Sequence, residues 1–119
     1  LDTGKIYRWC VLQIIQKKPK NKIKFLKKRI KSLNLKKLQD KKLIDDKIAR
    51  VTSQISSDIR LRKLVFNYQR RIAYTIPQGY LGSILNGRDI THRIIPDATF
   101  KFYMTASIFD FEFNFDLII

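Results

Sequence analysis

The sequence predicts an α/β fold, with a helix-rich first part of about four helices followed by two short parallel strands. Three observations carry that expectation. Apolar residues recur at helical spacing between residues 4 and 74. Short apolar runs, each bounded by polar loops, occupy residues 83–105. A chain of 119 residues with 45% apolar and 12% aromatic content has material for one modest core, which argues against wholesale disorder.

The first helix is expected from Gly4 to about Lys17, because Tyr7, Cys10, Val11, Ile14 and Ile15 fall on one stripe until Lys18-Pro19-Lys20-Asn21 breaks it. A second, Lys22 to Leu33, turns Ile23, Leu26, Ile30 and Leu33 inward and its lysines outward. A third runs from Asp45 to Ser56 with Ile44, Ile48, Val51 and Ile55 as its apolar positions. Ser57-Asp58 offers caps for a fourth, reaching about Tyr74 with a face of Leu61, Leu64, Val65, Tyr68 and Ile72. Ser83-Ile84-Leu85 then reads as a strand entering the loop Asn86-Gly87-Arg88-Asp89. Pro96-Asp97-Ala98 is a turn, and Phe100 to Thr105 is a second strand. In residues 108–119, Phe109, Phe111, Phe113 and Phe115 alternate with Asp110, Glu112, Asn114 and Asp116, a divergent tail with a strand pattern.

The net charge of +15 is unevenly placed: residues 1–50 hold 17 Lys/Arg against 4 Asp, and the remainder hold 8 against 6 acids. A basic half of this kind would attract phosphates, nucleic acid or an anionic membrane surface. The single cysteine, Cys10, excludes an intramolecular disulfide and sits on an apolar stretch. His92 is solitary and no carboxylates cluster with it, so no metal site is expected. With no run of 18 apolar residues and no signal peptide, a soluble cytoplasmic protein is the expectation. No membrane partner and a monomeric state are expected with it. Leu1 is not preceded by Met and is too large to follow a trimmed one, so it reads as an internal position of a longer protein.

Three polar segments carry the chemistry. Asp2-Thr3-Gly4, with Arg8 one helical turn on, offers backbone amides at a helix start and a guanidinium fork for an anion. The same Asp-Thr-Gly triplet occurs in aspartic proteases, but here it leads into a helix rather than a hairpin. Ser53-Gln54 is followed by Arg62, Gln69 and Arg70, with Arg62 and Gln69 seven apart on one helical face. Gly87-Arg88-Asp89 combines close backbone approach, a guanidinium and an acceptor at a strand's end. No Gly-rich phosphate loop lies within the 119 residues.

As an ordered set, these segments resemble bacterial cytidylate kinase, the (d)CMP kinase of the P-loop nucleoside monophosphate kinase group. The resemblance rests on Leu1-Asp2-Thr3-Gly4 with Tyr7-Arg8, then Val51-Thr52-Ser53-Gln54-Ile55. It continues through Ile59-Arg60-Leu61-Arg62-Lys63-Leu64 and Gln69-Arg70. Gly87-Arg88-Asp89-Ile90, Pro96-Asp97-Ala98 and Lys101-Phe102-Tyr103-Met104-Thr105-Ala106-Ser107 complete it, giving an incomplete domain over residues 1–107. It implies a parallel sheet flanked by helices and transfer of the γ-phosphoryl of MgATP to CMP or dCMP. By position it assigns the cytosine to Ser53, Arg62 and Asp89, and the CMP phosphate to Thr3, Arg8 and Arg88. The family's P-loop precedes Asp-Thr-Gly and its arginine-rich lid follows Thr-Ala-Ser. The expectation is therefore a CMP-binding part with no ATP-binding residues and negligible phosphotransfer alone.

Within the matched region Asn86 stands where an acidic residue usually precedes Gly-Arg-Asp, and Thr91-His92 replaces Gly-Thr. Residues 18–44 form a basic insert without a clear counterpart. The competing reading is a small RNA-binding or ribosome-associated protein that uses the lysines of residues 17–42 on phosphate backbone. Against it, that stretch contains one aromatic residue, Phe25.

Overall fold

The computed structural model describes residues 1–105, so the alternating Phe/acid tail lies outside the described residues. Among the described residues four α-helices carry the fold: α1 Gly4–Lys17, α2 Lys22–Arg29, α3 Asp46–Ile55 and α4 Ile59–Tyr74. Helix α1 is its axis. Ile6, Trp9, Cys10, Val11, Leu12, Gln13 and Ile14 are all buried, which is burial nearly all round rather than along one stripe. Tyr7 and Ile15, expected on the inner stripe, are only half-buried, packed against the edge of the core. The helix stops where Lys18 turns left-handed (φ 45°) and its N–H bonds back to the Ile14 carbonyl at 2.8 Å, just before Pro19. Burial pushes the Cys10 thiol up to about 12, so it stays protonated and acts as a small apolar residue.

Helix α2 starts at the Asn21 cap, whose Oδ1 accepts the Lys24 N–H at 2.9 Å. It ends at Arg29 instead of Leu33. The chain tightens into a 3₁₀ turn over Ile30–Ser32, where Ser32 Oγ donates to the Arg29 carbonyl at 2.8 Å and Leu33 becomes extended. Two further 3₁₀ turns, Lys36–Gln39 and Lys41–Ile44, follow. The basic segment 18–44 is therefore not a loop laid over the surface. Leu26, Ile30, Leu33, Leu38 and Leu43 enter the same core as α1, and Tyr68 donates its hydroxyl to the Leu33 carbonyl at 3.1 Å. Leu26 is fully buried, so Leu26→Ala is expected to cost about 2–5 kcal/mol of folding stability, measured by urea unfolding. An unchanged midpoint would show the segment to be dispensable.

Helix α3 is capped by Asp45, whose Oδ1 accepts the Lys47 N–H at 2.7 Å. Ile48 is buried and Val51 half-buried, but Ile44 is exposed because it closes the preceding 3₁₀ turn and is off the helical stripe. Helix α4 is capped by Asp58 alone, its Oδ1 accepting the Arg60 N–H at 2.8 Å, while Ser57 bonds back to Gln54. Side-chain and backbone hydrogen bonds from Arg60 hold the Asp58 carboxyl below the usual carboxylate range, so the cap is charged at neutral pH. Leu61, Val65, Tyr68, Gln69 and Ala73 are its buried positions, and the expected Leu64 and Ile72 are half-buried against the core.

Neither expected strand forms among the described residues. What remains of the parallel layer is one bridge, Asp2 with Asn86. Asn86 N–H donates to the Leu1 carbonyl at 2.8 Å, and Thr3 N–H to the Asn86 carbonyl at 2.9 Å. The ladder stays short because α1 begins at Gly4 and the chain bends away at Gly87. Phe100–Thr105 has no ladder partner among the described residues, and Phe100, Phe102, Tyr103 and Met104 are exposed.

Candidate functional site

The Asp2–Asn86 bridge brings the first residues of the chain against the loop that follows residue 86, and α3 and α4 close the space beside them. The result is an open cavity of about 980 Å³. Thr3, Arg8, Ser53, Arg62, Arg88 and Asp89 all line it, drawn from four separated stretches of sequence. Among the described residues its wall carries five cationic side chains, Arg8, Arg62, Lys63, Arg88 and Arg93, against the carboxylates of Asp2 and Asp89. Such a concave surface of one predominant sign favours an anionic ligand.

At the bridge, Gly87 passes so close to Thr3 that a Cβ on it would lie 1.9 Å from Thr3 Oγ1. Thr3 is buried, and its hydroxyl donates to the Asn86 carbonyl at 3.0 Å. Thr3 thus seals the wall, with its oxygen lone pairs rather than its proton left over. The helix start expected to hold an anion is also occupied. Asp2 Oδ1 accepts the Gly4 N–H at 2.9 Å, and the Asp2 and Thr3 carbonyls accept from Lys5 and Ile6. The positive character of this end therefore comes from arginines and not from open amides. Arg8, half-buried, donates Nη1 to the Leu43 carbonyl at 3.2 Å, so the lysine-rich segment fixes a cavity side chain. Arg88 is exposed and makes no ion pair with the described residues.

At the other end, Asp89 adopts the left-handed conformation at φ 59°, unusual for a residue with a side chain. It leads directly into a π-helical turn, Ile90–Ile94, anchored by the buried Ile90 and Ile94 and by Arg70 Nη1 donating to the Ile94 carbonyl at 2.8 Å. Three cationic or titratable groups surround the Asp89 carboxylate: His92 Nε2 at 3.5 Å, Arg93 at 3.9 Å and Arg62 at 4.0 Å. All are substantially exposed, so these pairs orient the groups more than they stabilise the fold. Ser53 Oγ donates to the Ala49 carbonyl at 3.1 Å, which leaves its oxygen as an acceptor for a ligand amine.

The chain also matches the protein-family model described as cytidylate kinase, over residues 1–110. The chain belongs to the cytidylate kinase family. Its similarity to individual members agrees: it is 34% identical to the cytidylate kinase of Bartonella tribocorum, over 91% of this chain and 49% of that protein. It is 31% identical to the cytidylate kinase of Rhodospirillum rubrum, over 91% and 51%. A bifunctional pantoate ligase/cytidylate kinase of Prochlorococcus marinus is 33% identical over 91% of this chain and 23% of its own length. The chain thus spans about half the length of the single-function cytidylate kinases it matches. No solved structure gives a significant match.

The cavity wall also holds residues to which no role was assigned: Tyr7, Lys63 and Gln69, which lie within the quoted motifs, and Phe66 and Arg93, which lie outside them. Gln69 is signalled by its spacing of seven residues from Arg62. Arg93 has no such signal, because its place in the wall depends on the π turn. Burial raises the Tyr7 hydroxyl above its ordinary value, partly offset by the Arg62 and Arg93 charges nearby, so Tyr7 is a neutral phenol at the cavity. Among the described residues no group of three or more His, Cys, Asp or Glu side chains could hold a metal ion. No described helix is long and apolar enough to cross a membrane.

Proposed function

We propose that this chain forms the CMP-binding part of a cytidylate kinase, which moves the γ-phosphoryl of MgATP to CMP or dCMP. The observation that carries the reading is the convergence of Arg8, Ser53, Arg62, Arg88 and Asp89 on one cationic cavity of a family member. In the reading, a CMP phosphate oxygen attacks the γ-phosphorus as ADP leaves. Arg8 and Arg88 neutralise the acceptor phosphate, whose charge would otherwise repel the donor. Thr3 lines this end and holds the Asn86 carbonyl in place. At the base end, Arg62 donates to the acceptor edge of cytosine. Asp89 and Ser53 Oγ accept from its exocyclic amine, for which Ser53 has free lone pairs. Such a transfer depends on positioning and charge, which is what this wall supplies.

Isothermal titration with CMP, dCMP and AMP tests the reading. CMP and dCMP are expected to bind at least tenfold more tightly than AMP, because the adenine edge leaves Asp89 and Arg62 imperfectly paired, at about 1.4 kcal/mol per tenfold. Equal affinity for all three, or no binding, would overturn it.

A further inference from the structure

Beside the residues already assigned, the cavity wall contains a carboxamide, that of Gln69, without a hydrogen-bond partner among the described residues. Gln69 is 4% exposed and lines the cavity, yet its side chain hydrogen-bonds to none of the described residues. No buried polar side-chain atom in the described structure is sealed off without a partner, so the carboxamide is open to the cavity. The contrast with Gln13 is direct: that other buried glutamine accepts from Arg29 Nε at 3.0 Å. An amide that opens onto the cavity without a protein partner is free to pair with what enters it, and its position indicates what that is. Arg62, Phe66 and Gln69 fall at i, i+4 and i+7 on one face of α4, and all three line the cavity. A planar ring laid along Phe66 therefore has the Arg62 guanidinium towards one end and the Gln69 carboxamide towards the other. A carboxamide presents one acceptor and a donor pair, which suits the mixed edge of a nucleobase and is poorly suited to a phosphate.

We infer that Gln69 is a further specificity-determining residue, hydrogen-bonding the nucleobase at the end of the subsite opposite Arg62. The inference rests on the cavity binding CMP. NMR titration of the 119-residue chain with CMP and with ribose 5-phosphate tests it, comparing Gln69→Leu with the length-preserving Gln69→Met. Both variants are expected to weaken CMP about tenfold, the scale of one buried hydrogen bond, and to leave ribose 5-phosphate within about twofold. Their melting temperatures are expected to hold, since the amide makes no hydrogen bond to the described residues that the substitution would remove. Unchanged CMP affinity, or an equal loss for both ligands, would overturn the inference while leaving the CMP reading standing. A fall in melting temperature with both variants would make Gln69 a packing residue and overturn it as well. Failure of the unsubstituted chain to bind CMP would overturn the reading and the inference together.

Discussion

Gly87→Val is expected to abolish CMP binding and to lower folding stability by about 3 kcal/mol or more. The Cβ alone would lie 1.9 Å from Thr3 Oγ1 and 3.2 Å from Thr3 Cβ, and neither can retreat. Thr3 is buried, its hydroxyl and its backbone N–H both donate to the Asn86 carbonyl, and Gly87 itself has a positive φ of 156°. Overpacking and backbone strain each cost about 1–3 kcal/mol at such a point, and here they add. The displaced loop carries Arg88 and Asp89, so both ends of the subsite move together. Gly82→Ala is the matched control: nothing lies within 4 Å of its would-be Cβ, and it is expected to stay within about 0.5 kcal/mol. Urea unfolding followed by CMP titration reads both effects. A Gly87→Val protein with an unchanged midpoint would show that the bridge does not hold the site together.

Arg88→Ala has the second-largest expected effect, and it separates phosphate from base. Arg88 is exposed and has no ion-pair partner among the described residues, so its removal should leave the melting temperature unchanged. Loss of a charge-assisted contact to phosphate is worth about 1.5–3 kcal/mol, or roughly 10–150-fold in CMP affinity. Cytidine, which has no phosphate, should bind the variant as it binds the parent. Arg8→Ala should weaken CMP similarly but also lower stability, because Arg8 Nη1 braces the Leu43 carbonyl. Equal losses for CMP and cytidine in Arg88→Ala would contradict its placement at the phosphate end.

The four helices were legible from a 3.6-residue apolar period, with Pro19 as a break after α1 and Asp58 as a cap before α4, while the Asn21 and Asp45 caps emerge only in the structure. The strands were misjudged for a physical reason. Ser83-Ile84-Leu85 and Phe100–Thr105 have strand-forming side chains, but pairing needs a neighbour, and among the described residues the first finds only the Leu1–Thr3 segment and the second finds none. Apolar periodicity showed α2 but could not show that Ser32 and Asn34 would turn its continuation into 3₁₀ turns. Local polarity in turn suggested open amides at the start of α1, whereas the Asp2 side chain and the Asp2 and Thr3 carbonyls consume them. The residues expected in the site were visible as motifs, yet their meeting is a tertiary fact. It depends on the approach of Gly87 to Thr3, on a left-handed Asp89 and on the π turn that brings in Arg93, none of which has a local period. Leu43 illustrates the same point from the other direction: in a segment read as an unmatched insert, its carbonyl orients Arg8.

The central claim is that one cavity, assembled around the Asp2–Asn86 bridge, binds a cytidine monophosphate. Chemical-shift mapping of the amide spectrum during CMP titration tests it most directly. The account predicts saturable shifts concentrated at Thr3, Arg8, Ser53, Arg62, Gln69 and Gly87 to Asp89, with the lysine-bearing face of residues 22–37 unaffected. Shifts confined to that lysine face, or no saturable shifts at all, would contradict it.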